Sequence, residues 1–362
     1  MFLKRDGSLW AMGNDTYGQL GDGNSGVNYF IYETNVPEQI VVSNVVAIAA
    51  GVLHSLFLKS DGSLWAMGYN EVGELGDGTY NQTNLPELIV ASNVTAIAAG
   101  FANSMFIKSN GSLWAMGWNR RGALGDGTYN NTNRPEMIVA SNVTAIATEY
   151  YHSLFIKKDG SLWAMGDNSY GELGDGTYNS TNRPEMIVAS NVTAIAAEYL
   201  HSLFLKSDGS LWAMGANDSG QLGDGTYNNT NRPEMIVASN VTAIAAGWGH
   251  SLFLKCDGSL WGMGSDDDGQ LGDGTYNFST NQPEQILAAY NQISGQLMGG
   301  TNMQLNFVGI ANANYALERS SSLSPPNWIP QATNAASSFG PLVFTNAPDA
   351  TTNNFWRIRS VP

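Results

Sequence analysis

The sequence predicts an all-β protein: a β-propeller of four-stranded antiparallel blades, followed by a small β-sandwich-like module. Three observations carry the prediction. The tetrad Leu-Trp-Ala-Met recurs with its tryptophan at Trp65, Trp114, Trp163 and Trp212, and a Leu-Trp-Gly-Met copy carries Trp261, a constant spacing of 49 residues. Self-similarity of this length marks a repeated supersecondary unit. Each unit holds short β-compatible runs divided by Asp-Gly or Asn-Gly, and no repeat segment has helical periodicity. Finally, the unit is far longer than one coil of a linear β-solenoid, which favours radial blades. A sixth copy, at Trp10, lies 55 residues before Trp65, so the first unit is longer by six residues.

The unit spanning residues 192–237 serves to justify the strands in order. Val192-Thr-Ala-Ile-Ala-Ala197 is short and β-compatible, and His201-Ser-Leu-Phe-Leu-Lys206 alternates as a strand should. Ser210-Leu-Trp-Ala-Met-Gly215 reads as the third strand. Pro233-Glu-Met-Ile-Val237 reads as the fourth, with proline at its first position, where a missing N–H is tolerated. Between the second and third strands, Asp208-Gly209 predicts a type I′ turn with positive φ at both central residues. The same turn recurs at Asp6-Gly7, Asp61-Gly62, Asn110-Gly111, Asp159-Gly160 and Asp257-Gly258.

Gly-Asp-Gly copies at Asp22, Asp77, Asp126, Asp175, Asp224 and Asp273 count six units, the first without its inner strand. Met1 stands where other units have Leu56, Met105 or Leu154, so the chain is expected to start inside a strand, with a segment upstream. Asn291-Gln-Ile-Ser-Gly295 is expected to supply the absent strand. The repeats are assigned to residues 1–289 and the module to 290–362, where 303–307, 314–317, 341–344 and 355–359 read as strands.

Composition narrows the function. Charged residues make up 13% of the chain, and its net charge is −15. From Tyr290 onward the charged residues are Arg319, Arg357 and Arg359 against Glu318 and Asp349, so the acidity belongs to the repeats. That sign repels phosphate backbones and argues against nucleic-acid binding. No apolar run reaches the ~20 residues of a membrane helix, so no membrane insertion is expected. The single cysteine, Cys256, replaces a turn serine such as Ser60 or Ser207 and allows no internal disulfide.

The run His201-Ser-Leu-Phe-Leu-Lys-Ser-Asp-Gly-Ser-Leu-Trp-Ala-Met-Gly, followed by Gly220-Gln-Leu-Gly-Asp-Gly225, resembles the regulator of chromosome condensation repeat. The resemblance extends from about Phe2 to Leu287. It implies a propeller, typically of seven blades, from which six units with an incomplete first one depart. The best-known eukaryotic member is a nucleotide exchange factor for a small GTPase that also binds chromatin, a role the net charge opposes here. Near-identity of the units is similar to bacterial members, some of them secreted inhibitors that bind enzymes over a propeller face. An extracellular or cell-surface location is the expectation that follows. Asn327-Trp-Ile-Pro330 and Asn354-Phe-Trp-Arg357 resemble C-terminal β modules of secreted verrucomicrobia-like proteins, which implies no chemistry.

Alignment of the units isolates two variable segments, one after the first strand and one after the third. In an up-down-up-down blade both connections fall on the same rim. This rim gathers Tyr17, Tyr69, Phe101, Trp118, Tyr150, Tyr151, Tyr170, Tyr199 and Trp248, with Arg120 and Arg121, and the insertion of the first unit adds Tyr29, Phe30 and Tyr32. Aromatic residues and arginine dominate binding hot spots, so these fourteen are the candidate partner-binding residues.

Constant positions read as structural. The repeated tryptophans should pack between blades. His54, His152, His201 and His250 share one position with Asn103, and are expected to hydrogen-bond the adjoining loop. One imidazole per blade lies too far from the next for a shared metal. The Gly-Asp-Gly carboxylates lack the alternating spacing of a calcium loop. No metal or cofactor is therefore expected. Ser and His are adjacent along each second strand and point to opposite faces, against a catalytic dyad, and no HExxH or P-loop occurs. The expected function is a non-catalytic recognition scaffold for a macromolecule, most of all a protein. The alternatives are a secreted enzyme inhibitor using the same face, and a carbohydrate-binding or hydrolytic propeller.

Overall fold

Strands supply all the regular structure of the described residues, and no helix forms among them. The computed structural model describes residues 1–24, 33–276, 278–287, 293–298, 302–308, 314–322, 327–335, 341–346 and 355–361. The chain divides into two compact units, Met1–Phe253 with Gly262–Glu284 and Leu254–Trp261 with Gln285–Pro362.

Five units, 45–90, 94–139, 143–188, 192–237 and 241–287, each form a four-stranded sheet in chain order, as a propeller blade requires. In the fifth blade the strands are Val192–Glu198, His201–Lys206, Leu211–Gly215 and Thr230–Val237. The last begins ahead of Pro233. That proline falls on the outermost strand, where the register with Leu211–Gly215 shifts between Ala213 and Gly215, so its missing N–H breaks no ladder bond. The first blade has three strands, Phe2–Leu3, Leu9–Asn14 and Glu33–Val41. The segment expected to complete it does something else: Ile293–Met298 pairs antiparallel with Asn302–Val308. A hairpin across so short a connection costs far less closure entropy than pairing with a strand at the far end of the chain.

The hairpin between the second and third strands differs from the type I′ expectation. Gly62 N–H donates to Lys59 O (2.9 Å) and Lys59 N–H to Ser63 O (3.0 Å), and of the loop residues only Gly62 has positive φ, +80°. This is a three-residue loop with a left-handed glycine closing a type I turn. Asp61 stays right-handed because its Oδ1 accepts Ser63 N–H (2.9 Å) and the Ser63 hydroxyl (2.6 Å). The same hydroxyl accepts Trp65 Nε1–H at 2.9 Å, so Asp-Gly-Ser-Leu-Trp is one hydrogen-bonded device. A side chain at Gly62 would place Cβ 2.7 Å from Asn93 N in the link to the next blade.

Blades pack through the expected residues. Phe106, Met116 and Trp114 lie against Leu56, Leu64, Ala66 and Leu75 of the preceding blade, and Phe155, Met165 and Trp163 repeat the arrangement one blade on. The tryptophans are half-buried: Trp65 stacks on Phe57 at 6.0 Å and carries Lys59 Nζ 4.3 Å above its ring. This packing leaves no room for a side chain at Gly125 of Leu-Gly-Asp, since a Cβ there would lie 2.5 Å from Met165 Sδ.

In the second unit, two three-stranded sheets join Ile293–Met298, Asn302–Val308 and Pro341–Asn346, and Ile329–Ala335, Asn314–Ser320 and Phe355–Val361. Leu305 and Phe344 of one sheet share a hydrophobic cluster with Tyr315, Leu317, Trp356 and Ile358 of the other. Face-to-face sheets with a common apolar layer are a sandwich.

A candidate recognition rim

Antiparallel order puts the two variable connections of a blade at one end, and backbone hydrogen bonds zip them together. Tyr69 N–H donates to Leu53 O, Trp118 N–H to Ala102 O, Asp167 N–H to Tyr151 O and Ala216 N–H to Leu200 O, all at 2.8–2.9 Å. The other rim is uniform for a physical reason. There Val94 N–H donates to Gly62 O (3.0 Å), Ser109 N–H donates to Asn93 O (2.8 Å), and Asn93 itself has φ +67°.

One buried residue frames each third-to-fourth-strand loop. Asn70 Oδ1 accepts Leu75 N–H (3.0 Å), and its Nδ2 donates to Asp77 Oδ1 (3.1 Å) and Asn81 O (3.0 Å). Asn119, Asn168 and Asn217 repeat the bonds to the leucine and the aspartate. In the first unit Asp15 takes the position. Its Oδ1 still accepts Leu20 N–H (2.7 Å), but its buried Oδ2 has no partner. Burial, with Asp22 and Glu38 nearby, pushes this carboxyl up to about 7.

Three of the histidines bond across blades. His54 Nε2 lies 2.8 Å from Ser104 Oγ of the next blade, whose hydroxyl donates to Glu74 O (2.7 Å). His152 with Ser202 and His201 with Ser251 repeat this at 2.8 and 2.9 Å. The expected bond to the loop is thus indirect, reaching a loop carbonyl through a serine of the following blade. Adjacency along one strand hid this pairing. With the serine proton committed to a carbonyl, imidazole is the donor and no base faces the hydroxyl. Burial holds His54 and His152 down at about 4 and His201 at about 3, so these rings are neutral. At Asn103 the shorter side chain donates instead to Thr148 Oγ1 (2.8 Å), and Thr148 lies 2.8 Å from Ser153 Oγ.

Upon this frame the aromatic residues form a run. Phe101 meets Tyr150 at 4.2 Å, Tyr150 meets Tyr199 at 5.2 Å, and Tyr199 stacks on Trp248 at 4.7 Å, one ring from each of four successive blades. Tyr151 touches Tyr150 edge-on at 4.2 Å and Trp118 at 4.9 Å, which brings six candidates into one patch. The rings are half-buried except that of Trp248, which is 67% exposed. Tyr199 has φ +32°, rare for an aromatic residue. Tyr17 and Tyr69 make a separate edge-on pair at 5.0 Å. Tyr170 joins neither group. Arg120 is exposed, and Arg121 lies 3.7 Å from Asp167 Oδ2. Tyr29, Phe30 and Tyr32 lie outside the described residues.

Two carboxylates beside the run were not among the candidates. Glu149 and Glu198 precede Tyr150 and Tyr199 at a position that is Gly51, Gly100 and Gly247 in other units. The departure from glycine was the available signal. Burial pushes Glu149 up to about 8, with Glu198 adding repulsion, and burial pushes Glu198 up to about 7.

Comparison with known proteins rests on this geometry. The family model described as RCC1-like domain matches residues 1–305. Human WBSCR16 is similar at 21% identity, covering 83% of this chain and 86% of that one, with a TM-score of 0.68. Yeast RCC1 (Prp20) in its crystal structure with Kap60 is 22% identical over 84% of this chain and 78% of that one, TM-score 0.67. Prp20p from Saccharomyces cerevisiae, in a structure concerned with its binding to Gsp1p and histones, is 22% identical over 87% and 82%, TM-score 0.66. With blades, turns and family model in agreement, the chain belongs to the RCC1-like domain family.

Proposed function

We propose that this protein is a non-catalytic scaffold that binds a protein partner over the rim of variable loops. The observation that carries this reading is the continuous run of Phe101, Tyr150, Tyr199 and Trp248 over four blades, ending in a largely exposed indole. Such rings supply large contact area at low conformational cost, and burying one under a partner is worth about 2 kcal/mol or more at a hot spot. The yeast relative whose structures concern Kap60, Gsp1p and histones supports protein binding as a use of this fold.

Immobilised wild-type protein and Trp248→Ala are exposed to an extract of the native host. A protein retained by the wild type is expected to bind the variant about 30-fold more weakly, the equivalent of 2 kcal/mol. The melting temperature should stay unchanged, because an exposed side chain contributes little to folding. Equal retention by the two, or retention of a polysaccharide alone, refutes the reading.

A further inference from the structure

Glu149 and Glu198 are carboxylates of the connection after the first strand, beside the aromatic run. Glu198 ends the first strand of its blade, Glu149 directly follows the first strand, Val143–Thr148, of the blade before, and each side chain is half-buried. Among the described residues neither has a hydrogen bond or an ion pair to its carboxylate. Arg121, one of the two candidate arginines, lies 3.7 Å from Asp167 Oδ2. The tyrosines that follow them in the chain meet at 5.2 Å with their planes at 86°.

Unpaired, partly desolvated carboxylates in successive blades are unfavourable for the folded chain alone. A partner that brings a positive charge relieves that cost on binding. Resting on the rim reading above, we infer that Glu149 and Glu198, framed by Tyr150, Tyr199 and Trp248, seat a lysine or arginine side chain of a protein partner. The rings contribute through cation–π attraction, which strengthens as water is excluded, and the carboxylates through charge-assisted hydrogen bonds. The chain uses the same cation-over-ring geometry internally, with Lys59 over Trp65 and Lys157 over Trp163 at 4.3 and 3.9 Å. Its net charge of −15 attracts a basic segment to the protein before contact. A metal ion is the poorer occupant, since no group of three or more His, Cys, Asp or Glu among the described residues is placed to hold one.

The test uses the full chain and fluorescein-labelled oligolysine, oligoarginine and oligoglutamine, followed by fluorescence anisotropy at physiological ionic strength. The site variant is Glu149→Gln/Glu198→Gln. The control is Glu87→Gln/Glu136→Gln, which removes two carboxyl groups from outer strands instead. Oligolysine or oligoarginine should bind the wild type, and the site variant should bind it at least about tenfold more weakly. The control should change binding by less than about twofold. Equal loss in the two variants would reduce the effect to general attraction by an acidic surface and overturn the inference, as would absence of binding or equal binding of oligoglutamine. The two readings fail separately. A host partner lost by Trp248→Ala but kept by the site variant leaves the rim reading intact and ends this one, whereas a partner kept by both ends both.

Discussion

At the residue scale, the exceptions within the repeat explain more than the consensus. Asn103 breaks the histidine series, and its unit holds together because Thr148, in the position of Ala99 and Ala50, spans the gap between Asn103 and Ser153. Thr148→Ala should therefore leave a buried amide donor unpaired and cost about 1–3 kcal/mol, read as a lower midpoint in denaturant unfolding. Adding Asn103→His should restore most of that loss, because a longer donor reaches the serine as His54 reaches Ser104. A double variant no more stable than Thr148→Ala would refute the compensation. The sequence alone marked Asn103 as an exception but not Thr148. Its partner role becomes visible only when neighbouring blades are set side by side.

At the scale of the element, the four strands of each repeat were legible because alternation and turn residues agree at every copy. The turn type was not, since a glycine after aspartate serves both a two-residue loop and a three-residue loop. What decides is the Asp61 carboxylate, which captures the following serine and keeps the aspartate right-handed. Ile329–Ala335 was missed because a proline near its start argues against a strand, yet Pro330 sits beside a register shift on an outer strand. Glycine in Leu-Gly-Asp offers a test of blade packing. Gly125 and Gly272 have nearly the same φ, +76° and +73°, but a Cβ would strike Met165 at the first and meet nothing within 4 Å at the second. Gly272→Ala should cost only the left-handed penalty, about 1–2 kcal/mol. Gly125→Ala should cost a further 1–3 kcal/mol or so for overpacking. Equal losses in chemical denaturation would show that the steric contact is not felt.

For the whole molecule, two sets of buried groups oppose one another as pH changes. Asp15, Glu74, Glu172 and Glu198 are pushed up to about 7 and Glu149 to about 8, burial being the largest cause for each. A carboxyl with a raised folded-state pKa contributes stability that is full below its unfolded value and lost as pH rises through the folded one. His54, His152 and His201 have the reverse sign: with folded values near 4 or below, they withdraw stability as pH falls below about 6.5. Melting temperature should therefore rise as pH falls from about 8 to about 6.5, where the carboxyls titrate alone, and rise less steeply or turn over below that. Glu74→Gln/Glu172→Gln should flatten the upper part of the curve. A melting temperature that instead falls between pH 8 and 6.5 would contradict the assignment. Family and propeller class were readable from sequence, because the 49-residue period and its motif are unambiguous. The burial of Glu74 and Glu172 was not, because the equivalent Gln221 and Ala123 make that position look freely variable.

The bond from Val94 to Gly62 and the one from Ser109 to Asn93 join a link in the chain to the hairpins on either side of it. Each repeat thus owns one half of the fastening at its start and the matching half at its end. A tandem duplication of a 49-codon stretch within the repeats would copy both halves together, giving the newcomer the contacts its neighbours already make. Divergence is then free to act on the opposite edge, where a partner could be exchanged by rewriting a few codons.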